Sequence, residues 1–184
     1  MPYKDPARGR RVVEKGAELS ADGYYRYRLD RCWDADLPTA TWIMLNPSTA
    51  DHQDDDATIR KCLGFARRLG CGSIEVVNLF ALRTRHPSVL RKELYAIGEY
   101  NDDHVDAAVA AATGPVIAAW GAHGRWIGGR VQAVLRLPAV QERDLQCLGI
   151  SKAGDPLHPL MLTYKRPLIP WRLAAPKQQT GTVR

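Results

Sequence analysis

Four short apolar runs constrain this chain more than any other feature: ATWIML (Ala40–Leu45), SIEVVNLFAL (Ser73–Leu82), PVIAAWG (Pro115–Gly121) and LQCLGI (Leu145–Ile150). ATWIML is apolar without interruption, as expected of a strand covered on both faces. Segments with helical spacing separate the runs. ATIRKCLGFARRLG puts Ile59, Cys62, Leu63, Ala66 and Leu69 on one stripe, with Arg60, Lys61, Arg67 and Arg68 outside it. Asp55 and Asp56 suit its start, and Gly70 its end. A helical segment is expected around Leu90–Ile97, an Asp-capped helix over NDDHVDAAVAAAT, and another helix over GGRVQAVLRL. Strands alternating with helices predict an α/β three-layer sandwich on a mainly parallel four-stranded sheet.

The segment before these runs has a different pattern. YYRYRLDRCW (Tyr24–Trp33) alternates aromatic or apolar residues with arginines, the signature of a half-buried antiparallel or edge strand. Ala21-Asp22-Gly23 suits a hairpin turn, so an N-terminal β-hairpin is expected over about residues 17–35. The arginine row reads as a solvated strand face. One α/β domain is expected over residues 1–174, with its core over about 39–171 and a flexible polar tail over 175–184.

Composition narrows the function classes. The formal net charge of +6 favours a nucleic-acid or nucleotide partner without requiring one. The Arg-rich start has no apolar core of a secretory signal. The longest uncharged stretch, Ala107–Ala122, is broken by Gly114-Pro115 and is too short to span a bilayer. A cytoplasmic location with no membrane partner is therefore expected. Cys32, Cys62, Cys71 and Cys147 show no CxxC spacing, which fits reduced thiols better than a metal site.

Ligands of open parallel sheets bind outside the carboxyl ends of the strands. The first run leads into Asn46-Pro47-Ser48-Thr49-Ala50-Asp51. The second contains Asn78, followed by Leu79-Phe80. The third ends in Trp120-Gly121-Ala122-His123, and the fourth leads through Ser151-Lys152 to His158-Pro159-Leu160. Asn46 is either a turn residue or an amide that Pro47 holds rigid at the sheet edge. Asn78, if buried, must bond either to neighbouring backbone or to a ligand. The group Asp51, His52, Asp54, Asp55 and Asp56 raises a hard-cation question. The other strand ends offer no second carboxylate cluster, so no metal and no cofactor is assigned. The phosphate-loop, dinucleotide and serine-elbow fingerprints are absent.

The strings WIMLNPSTAD, VVNLFALR, VIAAWGAHG and CLGISKAGDPLHPL resemble the DUF1643 family, an uncharacterised bacterial and phage group, over about residues 20–171. More distantly, the order of motifs is similar to the uracil-DNA glycosylase superfamily. Asn46-Pro47 resembles that superfamily's water-positioning motif, and Asn78 its base-reading asparagine. Trp120-Gly121 resembles its third-strand turn, and His158-Pro159 its final motif. Two departures stand out: Ser48-Thr49 replaces the usual aromatic or glycine, and Leu160 replaces a serine that grips phosphate.

The distant resemblance implies a sheet order of 2-1-3-4, counting from the strand of Trp42. It also implies hydrolysis of the N-glycosidic bond of a base, modified or not. Asn46 would hold the water and His158, or Lys152, would stabilise the leaving base, while Asn78, Phe80 and Ser48 would contact the base or ligand. Arg60, Lys61, Arg67 and Arg68 either track a nucleic-acid backbone or form a solvated helix face. Two other functions stay open: a non-catalytic binder of a nucleotide or modified base, and an enzyme of free nucleosides or nucleotides.

Overall fold

A computed structural model describes residues 14–48, 50, 53–126 and 129–173. A single sheet runs through them. Its strands are β1 (Glu14–Leu19), β2 (Arg26–Cys32), β3 (Thr39–Met44), β4 (Ser73–Asn78), β5 (Val116–Ala118), β6 (Gln146–Cys147) and β7 (Ile169–Pro170). The helices are α1 (Ala57–Arg68), α2 (Asn101–Ala110), α3 (Arg130–Leu135) and α4 (Pro138–Gln141).

The α/β class is as expected, but the sheet is not a mainly parallel four-stranded one. It has seven strands in the order β1-β2-β4-β3-β5-β6-β7, and it is mixed. β4, β3, β5 and β6 pair in parallel, whereas β2 joins β4 antiparallel and β7 joins β6 antiparallel. The hairpin β1–β2 thus extends the sheet instead of standing beside it, and covers what would be an open edge at β4.

Strand residues alternate between two cores. Ile43, Val77 and Ala118 face one cluster, while Trp42, Val76 and Ile117 face the other. Helix α1 supplies Ile59, Cys62, Phe65 and Ala66 to the second cluster, and α2 supplies Val105, Ala108 and Val109 to the first. This is why the central runs carry almost no polar residues.

Several local expectations are corrected. The segment around Leu90–Ile97 is a 3-10 turn over Pro87–Arg91 followed by further turns. Pro87 opens it, and Gly98 at φ +87° closes it. No side chain caps α2; Tyr100 is its N-cap, and Asp102 and Asp103 lie in the first turn, where they favour the helix dipole. The arginines of β2 are not a uniform solvated face either. Arg28 is exposed, but Arg26 and Arg31 are buried. Arg31 bonds Asp55 at 2.8 Å and the carbonyls of Gly16 and Asp30, so its charge is compensated inside the fold.

Candidate functional site

The strand ends converge on one cavity of about 530 Å3. Its wall includes Asn46 and Ser48 after β3, Asn78 at the end of β4, Trp120 and Gly121 after β5, and Ser151 and His158 beyond β6. Helix α1 contributes its N-cap Asp56 with Thr58 and Ile59. A second cleft, of about 630 Å3, is lined by Tyr25, Tyr27, Tyr95 and Tyr100 and holds none of these strand-end residues.

Asn78 is the most telling side chain. It is 1% exposed, and its amide nitrogen has no hydrogen-bond partner. A buried donor left unpaired costs about 1–3 kcal/mol, which sets this amide apart from the other side chains of the wall. The backbone beneath it is held firmly. The Asn101 amide donates to the carbonyls of Asn78 at 2.9 Å and Leu79 at 3.2 Å. Arg130 Nε donates to the Leu79 carbonyl at 2.5 Å, and its guanidinium pairs with Asp102. Asn101 and Arg130 are supports that sequence reasoning missed; within a helical pattern both look like surface polar residues.

Asn46 does line the cavity, but its amide is also a clamp. Nδ2 donates to the Pro47 carbonyl at 2.8 Å and to the Thr84 carbonyl at 2.7 Å. Two carbonyl partners fix the orientation of the amide, because only nitrogen can donate. The Thr84 N–H in turn donates to the Pro47 carbonyl at 2.9 Å. The turn after β3 and the loop after β4 are thereby tied together.

His158 sits against Gly121. That glycine has φ +72°, and a Cβ on it would lie 3.3 Å from the His158 Cβ. His158 Nδ1 accepts the Leu160 N–H at 3.3 Å, which leaves Nε2 as the protonated nitrogen of the neutral ring. Burial pushes the His158 pKa down; Asp56 opposes this and His123 reinforces it.

Other expected site residues lie elsewhere. Phe80 is buried in the core with the Arg130 guanidinium 6.0 Å from its ring, and it does not line the cavity. Trp120 is the large aromatic ring that does, braced edge-on by Trp171 at 4.9 Å. Lys152 is exposed and off the wall; its neighbour Ser151 lines it while bonding Asp155 at 2.9 Å. The four α1 cations also lie outside the cavity wall. Arg60 donates to the Asp55 carbonyl, and Lys61 donates to the Leu162 carbonyl at 2.7 Å. Arg67 covers the Trp33 ring at 4.4 Å and Arg68 the Tyr164 ring at 5.3 Å. Among the described residues, no group of three or more His, Cys, Asp or Glu side chains could hold a metal ion. Asp51 and His52 lie outside the described residues. No helix among the described residues is long and apolar enough to cross a membrane.

Two charged residues on this wall went unnoticed in the sequence as site residues, Arg26 and Arg85. Arg26 is buried and donates to the Ala50 carbonyl at 2.6 Å. The strand pattern hid it, because period-2 alternation says which face a residue takes and not what covers that face.

Fold and cavity together define an α/β protein with a cleft at the carboxyl ends of its parallel strands. The chain belongs to the family described as "Protein of unknown function (DUF1643)", whose model matches residues 26–160. No curated protein and no solved structure matches the chain.

Proposed function

We propose that this cavity binds a nucleobase and hydrolyses its N-glycosidic bond, in the manner of the uracil-DNA glycosylase superfamily. The observation that carries the reading is the buried amide nitrogen of Asn78, left without a partner on a residue of the wall that Asn46 and His158 also line. An amide nitrogen needs an acceptor, and a base carbonyl supplies one. The parallel block β4-β3-β5-β6 also has the order 2-1-3-4 counted along the chain, in keeping with the resemblance.

In this mechanism Trp120 packs against the base. The Asn46 Oδ1, left over by the two bonds of Nδ2, accepts from a water molecule beside the sugar. Asp56 is the one carboxylate among the described residues of the cavity wall. It takes the water's proton as the oxygen bonds to C1′. The C1′–N bond breaks, and its electron pair leaves with the base. The His158 Nε2–H donates to the departing anion, and a neutral imidazole does this without binding the ground state as a cation would.

The alternative is a base-binding protein without chemistry, favoured by an amide at position 46 where a stronger base would serve better. One assay separates the two: release of free base from nucleosides, nucleotides and oligonucleotides carrying uracil, hypoxanthine and modified bases. Release that is lost in Asp56→Asn and His158→Gln supports hydrolysis. Saturable binding without release supports the binder, and neither release nor binding removes the reading.

A further inference from the structure

The wall of the cavity contains a cation that the proposed reaction does not use. Arg85 follows Thr84, whose carbonyl the Asn46 amide holds. The Arg85 side chain is exposed, lines the cavity, and has no hydrogen-bond or ion-pair partner among the described residues. The opposite holds for the cations that would follow a polymer backbone. Arg60 and Lys61 bond carbonyls, and Lys61, Arg67 and Arg68 lie over aromatic rings, in each case away from the cavity wall.

Resting on the nucleobase reading above, we infer that the cavity takes a free nucleoside monophosphate, with Arg85 as its phosphate receptor and Asn46 as the residue that positions Arg85. Three observations converge. The cavity, at about 530 Å3, lies in the range of about 300–1,000 Å3 that takes one small ligand. Its buried end holds a lone amide donor at Asn78, suited to a neutral base edge, and Arg85 supplies an unpaired planar cation suited to a bidentate phosphate. The other charges on the wall, Arg26 and Asp56, are already engaged with the Ala50 carbonyl and the Ile59 N–H. They are of opposite sign, so the field that selects the ligand's charge comes from Arg85.

The test is a set of titrations followed by tryptophan fluorescence, since Trp120 lines the site. The probes are uridine, UMP, inosine, IMP, inorganic phosphate and short single-stranded oligo(dU). The wild type is expected to bind UMP or IMP about tenfold or more tightly than the matching nucleoside, as one charge-assisted phosphate contact implies. Arg85→Ala, at an exposed position, should close that gap and leave nucleoside affinity unchanged. Asn46→Ala should narrow the gap more than it weakens the nucleoside, a pattern that general destabilisation would not produce. Equal affinity for nucleoside and nucleotide, or a gap that survives Arg85→Ala, overturns the inference and leaves the nucleobase reading standing. Oligo(dU) binding more tightly than UMP overturns it in favour of a polymer substrate. No binding of any nucleoside or nucleotide removes both.

Discussion

Replacing Asn78 by leucine separates a binding amide from a structural one. The side chain is 1% exposed, and its Nδ2 atom is buried without a partner. An unpaired buried donor costs about 1–3 kcal/mol, and leucine removes that penalty. Leucine has the same number of heavy atoms but a larger volume, and the site borders a cavity into which the extra volume can extend, which limits overpacking. Asn78→Leu is therefore expected to raise stability by up to about 1–3 kcal/mol. In a domain of this size that is a rise in melting temperature of about 2–4 °C per kcal/mol. Ligand response should move the other way. A nucleotide at a hundred times its Kd stabilises the wild type by about 2.7 kcal/mol and should leave the leucine variant unmoved. Thermal melts with and without UMP or IMP read both effects. A leucine variant that melts well below the wild type, yet still shifts with ligand, would refute the reasoning, because Asn78 would then be supporting the core.

Three further expectations concern neighbouring groups. Asn46→Ala removes two hydrogen bonds to backbone carbonyls and should cost about 1–3 kcal/mol in a denaturant melt. Asn46→Asp should cost more, since it sets a carboxylate against the same two carbonyls. Asp56→Asn keeps an N-cap for the Ile59 N–H and should leave stability within about 1 kcal/mol, while base release falls by about two to four orders of magnitude. Equal loss of stability and activity would reduce Asp56 to a cap. The folded-state pKa of His158 lies below its ordinary value of 6.5, so the unfolded chain binds the extra proton first. Its contribution to stability is complete above pH 6.5 and is lost as pH falls from 6.5 towards the lowered value. His158→Asn should flatten that part of a stability–pH curve, and an unchanged slope would show that other groups dominate.

The apolar runs around β3, β4 and β5 and the 3.6-residue stripe of α1 were legible in the sequence by itself, because they are local records of burial. The sequence also placed Asn46 and Asn78 at strand ends and His158 in the segment beyond the fourth run, and these three line one cavity. Much else was decided by tertiary structure. Phe80 follows Asn78 by two residues and was read as a cavity surface. The fold turns it into the core beneath Arg130, because position along a strand end does not say which side the next residues take. The antiparallel pairings of β2 with β4 and of β7 with β6 join segments distant in sequence, and two-residue β6 and β7 are too short to show any period. The α1 cations looked free on a helical wheel, yet Tyr164 and Leu162 arrive from the far end of the chain to engage Lys61 and Arg68. Arg26 and Arg85 joined the site unannounced for the same reason. A charged side chain's partners are set by which loops close over it, and loop closure is a property of the whole fold.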